Sequence, residues 1–109
     1  MESGFTLIDD LASEVEVPEG GILSRTVYND DSLKVILFAF DTGQELSEHT
    51  ASMPAILHLL SGEADLTLGD QTAAAHAGTW LRMAPNLPHS VVAKSPLVFV
   101  LLLLKSGKS

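Results

Sequence analysis

The chain has 109 residues, 46% of them hydrophobic, with 14 acidic residues against 6 Lys and Arg and a formal net charge of −8. That length supports one core, and the apolar content argues against disorder. The charge leaves no basic patch to neutralise phosphates, so no nucleic-acid partner is expected, and the absence of cysteine excludes disulfides, zinc–thiolate sites and thiol nucleophiles.

The first twenty residues, "MESGFTLIDDLASEVEVPEG", are acidic and lack the basic start and apolar centre of a signal peptide. They predict an N-terminal arm with at most a turn of helix around "LIDDLAS", and a cytoplasmic location. From residue 21 onward, turn signals such as "NDD" (29–31), "DTG" (41–43), "SG" (61–62), "GD" (69–70) and "AG" (77–78) recur at short intervals. Between them lie "ILSRTVY", "LKVILFAF", "AILHLLS", "EADLTLG", "TWLRM", "HSVVA" and "LVFVLLLL". Short β-rich segments at this spacing predict an all-β sandwich or barrel. The longest apolar run, "PLVFVLLLL" (96–104), is about half of the roughly 20 residues a membrane helix needs. It reads as a buried strand, and no membrane partner is expected.

Two-residue alternation separates the faces. In "EADLTL", Ala64, Leu66 and Leu68 share one face and Glu63, Asp65 and Thr67 the other, so that strand has a wet side. In "LKVILFAF" and "LVFVLLLL" both faces are apolar apart from Lys34. A small barrel has one interior, so the outer apolar face needs a cover. A homodimer is expected to supply it, with coverage by residues 1–20 alone as the alternative. Trp80 and Arg82 share the face opposite Leu81 and Met83 and suit an interface. Ser52, Ser61 and Ser90 lack the Gly-x-Ser-x-Gly elbow of a serine hydrolase, and no phosphate-binding glycine loop is present.

Gly43 is followed by five residues and then His49, with Gly62 closing the segment; Gly78 is followed by five residues, then "APNLP" (84–88) and His89. Together these two segments resemble the motifs of the cupin superfamily. The resemblance, from about Gly43 to Ala93, implies a cupin-like (RmlC-like) jelly-roll β-barrel: an arm over 1–20, a barrel domain over 21–105 and a tail over 106–109. In metal-binding cupins two histidines and a glutamate of the first motif and a histidine of the second hold a divalent ion. Here His49 and His89 stand at the first and last of those positions. Ala51 and Ala55 replace the second histidine and the glutamate, and Asn86 replaces a glycine.

The resemblance places His49 and His89 on facing strands, rings aimed into the barrel. Three readings follow: a polar pair in an apolar pocket that binds a small organic molecule, a weak metal site (Fe, Mn, Ni or Zn) completed by water or substrate, or a structural pair. The pocket wall is expected to include Ala51, Met53 and Ala55, with Leu57, Leu81 and Met83 filling the core. Glu45, Glu48, His58 and His76 are the remaining nearby donors. Alternation turns Glu48 and His58 away, and His76 precedes a turn. The implied functions are a small-molecule-binding module, a metal-dependent enzyme of dioxygenase or isomerase type, or an oligomeric barrel without an active site.

Overall fold

The computed structural model describes residues 4–105; the tail over 106–109 and the first three residues of the arm lie outside the described residues. Residues 4–21 contain one 3₁₀ turn, Leu11–Glu14, and no strand. The strands that follow are β1 (Ile22–Asn29), β2 (Leu33–Phe40), β3 (Glu45–His49), β4 (Ala55–Ser61), β5 (Glu63–Leu68), β6 (Gln71–His76), β7 (Trp80–Met83), β8 (His89–Ala93) and β9 (Leu97–Leu104). They form two sheets, ordered β1-β2-β9-β4-β7 and β3-β8-β5-β6. All pairings are antiparallel. β9 returns to lie between β2 and β4, and β8 between β3 and β5, which is the nested pairing of a jelly roll. No helix among the described residues is long and apolar enough to cross a membrane.

The core between the sheets follows from the alternation. Leu57 and Leu59 of β4, Ala64 and Leu66 of β5, Val91 and Ala93 of β8, and Leu97 and Phe99 of β9 all point inward and are buried. Phe38 of β2 lies in register opposite Phe99 and stacks on it, with ring centroids 5.0 Å apart. The β5–β6 hairpin turns on Gly69-Asp70. Only the first of these has a positive φ (63°), the type II′ pattern that matches strand twist.

The second apolar face of β2 and β9 is also buried, because the arm lies across it. Val15 packs with Leu37, Ala39, Val98 and Val100, and Leu11 and Val17 border the same cluster. Polar contacts pin the arm. Arg25 Nη1 donates to Glu14 O (2.8 Å), and the Gly20 N–H donates to Asp41 Oδ2 (2.7 Å). The Asp41 N–H in turn donates to Gly21 O at 3.0 Å.

The hydrogen bond from the Gly20 N–H, followed by that from the Thr42 N–H, holds the Asp41 carboxyl below its ordinary 3.8. A depressed carboxylate contributes stability that is complete above its unfolded-state value and fades as pH falls through the lower folded-state one. Acid is therefore expected to loosen the arm's attachment before the barrel opens. The exchange protection of the Gly20 amide should drop below about pH 4 while that of Leu59 persists. Loss of both protections together would contradict this.

Candidate functional site

β3 and β8 carry the two histidines, and the sequence does not make β3 an obvious strand. "ELSEH" has one apolar residue, Leu46, which pairs with Val91 and faces the core. Regular alternation from Leu46 would turn His49 outward. A β-bulge intervenes: the register jumps between Leu46↔Val91 and His49↔His89, spending three residues on β3 against two on β8. Bulges re-aim side chains in this way. It brings His49 beside His89, with ring centroids 4.1 Å apart and planes tilted by 59°. The two strands are neighbours in one sheet, joined in register, rather than facing strands across the barrel.

Both rings are tethered alike. His49 Nδ1 lies 3.0 Å from Ser47 O, and His89 Nδ1 lies 2.9 Å from Leu87 O. A carbonyl only accepts, so each Nδ1 carries a proton, and in the neutral form of either ring Nε2 keeps its lone pair for something else. His89 is 6% exposed, whereas His49 is open to solvent.

The surrounding loops are locked together by backbone. The Gly43 N–H donates to Ala93 O (2.8 Å) and the Ala93 N–H to Gln44 O (2.9 Å), aligning the start of β3 with the end of β8. The Asn86 N–H donates to Ala51 O at 2.7 Å, joining the β3–β4 and β7–β8 loops. Asn86 has φ 68°, the left-handed conformation that glycine adopts most easily and asparagine tolerates better than most. The replacement of the motif's glycine by asparagine is thus conformationally consistent.

The other expected wall residues are distributed along this rim and inward from it. Ala51 and Met53 are half-buried in the β3–β4 loop, while Ala55 starts β4 and is buried, in register with Met83 and Leu103. Leu57 and Met83 are core residues and Leu81 packs against that core. Glu45 and Glu48 are exposed, and His58 lies on the outer side of the other sheet beside Trp80. His76 is exposed, its Nδ1 3.0 Å from Ala77 O. No group of three or more His, Asp or Glu side chains capable of holding a metal occurs among the described residues. Two imidazoles without a carboxylate do not fit a four-ligand metal centre. Sequence reasoning had no view of the bulge, nor of the carbonyls of Ser47 and Leu87, because backbone acceptors leave no residue signature.

Fold and site together define a jelly-roll barrel with a histidine pair at one end of the smaller sheet. The family model described as "Cupin domain" matches residues 36–104, and the chain belongs to the cupin family. No curated protein matches the chain. Among solved structures it is similar to a conserved protein of unknown function from Streptococcus pyogenes, at 30% identity and TM-score 0.81, covering 96% of this chain and 90% of that one. It is also similar to a cupin superfamily protein from Desulfitobacterium hafniense (26% identity, TM-score 0.83, 88% of each chain). A cupin 2 conserved barrel domain protein from Leptotrichia buccalis (27%, TM-score 0.81) covers 86% of this chain, which spans 46% of that protein.

Proposed function

We propose that this cupin binds a small organic molecule through Nε2 of His49 and Nε2 of His89, with Ala51, Met53 and Ala55 forming the apolar side of the pocket. One observation carries the reading: both Nδ1–H groups are already spent on backbone carbonyls, so the pair offers two Nε2 acceptors when the rings are neutral, and among the described residues it belongs to no group of three or more His, Asp or Glu side chains. Two neutral acceptors against an apolar wall suit a ligand that donates hydrogen bonds, a hydroxyl or an amine on a compact carbon frame.

The same tethers favour a second reading. A ring held by a carbonyl at Nδ1 is oriented and made more basic at Nε2, as metal-ligating histidines are. A divalent Fe, Mn, Ni or Zn ion on His49 and His89, its remaining positions filled by water or substrate, would support metal-dependent chemistry of dioxygenase or isomerase type.

Metal analysis of protein purified without chelator, combined with thermal-shift screening of phenols, diols and amines, distinguishes the two. The expected result is a metal-poor protein stabilised by a hydrogen-bond-donating fragment. Its dissociation constant should rise about tenfold in His49→Ala and again in His89→Ala, the usual scale for one hydrogen bond of this kind. Stoichiometric metal lost in His89→Ala would establish the second reading instead. Neither metal nor ligand, with stability unchanged in both variants, would leave a barrel without an active site.

A further inference from the structure

The arm is not seated along its whole length. Around Val15 it is buried against Leu37 and Val100. Toward Gly4 it parts from the sheet, near the turn between β1 and β2, and roofs a cavity of about 850 Å³. That volume lies within the range of small-molecule pockets, roughly 300–1,000 Å³. Ile8 and Leu11 of the arm line one side, and Leu33 and Val35 of β2 the other. Leu11 and Val35 also border the Val15 cluster, so the inner end of the cavity is continuous with hydrocarbon.

One carboxylate interrupts this apolar lining. Asp30, in the turn between β1 and β2, faces the same cavity. Its Oδ1 accepts from the N–H groups of Ser32 and Leu33, each at 2.8 Å, and its Oδ2 accepts from the Tyr28 hydroxyl. The Tyr28 hydrogen bond, followed by that from the Ser32 N–H, holds the carboxyl below its ordinary 3.8, so it is charged at neutral pH. Oδ1 has both lone pairs engaged, while Oδ2 keeps one for a ligand. Neither ion pair among the described residues, Arg25–Glu14 and Lys94–Asp65, includes Asp30. Lys105 reaches the same turn, but its ammonium donates to Asn29 Oδ1 and to the Asp30 main-chain oxygen, each at 2.6 Å. Exposed acids flank the walls: Asp9 and Asp10 lie between Ile8 and Leu11, and Asp31 adjoins Asp30.

We propose that this cavity binds an organic cation, an alkyl- or arylammonium ion whose hydrocarbon body lies between Ile8, Leu11, Leu33 and Val35 and whose charged nitrogen faces the Asp30 carboxylate. The proposal is independent of what the histidine pair binds, because that pair lies on the smaller sheet. Apolar walls select a hydrocarbon partner, and an ionised carboxylate at their edge selects a positive one. The acidic rim and the net charge of −8 repel anions and raise the local concentration of cations. A bare metal ion fits poorly. Calcium and magnesium take about six or more oxygen ligands, whereas this cavity offers one carboxylate already engaged by three donors.

Benzyltrimethylammonium is the probe, because it carries charge and hydrocarbon but no N–H with which to bind two neutral imidazoles. Titrated into isotope-labelled full-length protein at low salt, it is expected to bind with a dissociation constant of about 1 mM or lower. The largest amide shifts should fall at Ile8, Ser32 and Leu33. Benzyl alcohol, the neutral counterpart, should bind there about tenfold more weakly. Asp30→Asn keeps an oxygen that accepts from the Ser32 and Leu33 N–H groups, and should weaken the cation about tenfold while leaving benzyl alcohol unchanged. The proposal is overturned by the absence of saturable shifts up to about 10 mM, or by shifts centred on His49 and His89 instead. It is overturned equally by a cation indifferent to Asp30→Asn, or by equal affinity for the two probes. The comparison of probes on the unaltered protein decides the matter even where Asp30→Asn fails to fold.

Discussion

Truncating Phe99 to alanine is expected to destabilise the fold by about 3–5 kcal/mol, the range for emptying a large aromatic site in a packed core. Phe99 is 1% exposed and lies on β9, which is hydrogen-bonded on both sides, to β2 and to β4. Its ring stacks on Phe38 at 5.0 Å and meets the edge of Phe40 at 5.5 Å. Removing it takes away a partner from each ring and leaves a void that two antiparallel neighbours cannot close without giving up register. Domains of this size are stable by about 5–15 kcal/mol, so the variant should remain folded only narrowly. Equilibrium urea denaturation measures the loss directly. A cost below about 1.5 kcal/mol would mean that Phe38 and Phe40 repack into the space.

Gly62→Ala is expected to cost about as much, by backbone rather than by cavity. Gly62 links β4 to β5 with φ 90°, where an L side chain is strained. A Cβ there would overlap the Pro96 carbonyl oxygen and stand 2.9 Å from Leu97 Cα. Both obstacles are backbone, on the segment that begins β9, so neither can swing aside as a flexible side chain would. Adding strain of about 1–3 kcal/mol to overpacking of similar size predicts a loss of about 4 kcal/mol, or failure to accumulate as soluble protein. Gly78→Ala makes a useful control. It has a comparable φ of 98° but open space around the added methyl, so it should lose the conformational part alone. Equal costs for the two variants would show that the Pro96 contact is relieved by movement.

Most of the barrel was legible because its strands carry strong periodic signals. Ala64, Leu66 and Leu68 alternate with polar residues and face the core, and the doubly apolar β2 and β9 bury their second face around Leu37, Ala39, Val98 and Val100. β6 escaped notice because "QTAAAH" is built of alanines with little strand preference and only Ala75 is buried. β3 escaped for a different reason: its one apolar residue cannot set a period, and the bulge breaks the period in any case. The site was legible through motif spacing, which paired His49 with His89 across forty residues, but not through periodicity. Spacing identifies partners without their geometry, so the rings were expected across the barrel when they lie on adjacent strands. The arm shows the same limit. Its acidic composition marked it as distinct, whereas its seat on Leu37 and Val100 depends on Val15, with Leu11 and Val17 beside it, in an otherwise largely polar stretch.

The unequal burial of the two imidazoles gives the pair a direction. His89 lies at the edge of the hydrocarbon interior and His49 stands in water. A molecule bridging the rings would meet His49 first and lose its hydration only on the His89 side. It would therefore enter in one orientation, one donor group satisfied by the buried His89 and the other left at the water-facing His49. Discrimination between ligands would rest on the inner end, where an unsatisfied polar group is expensive, and the outer end would tolerate variation.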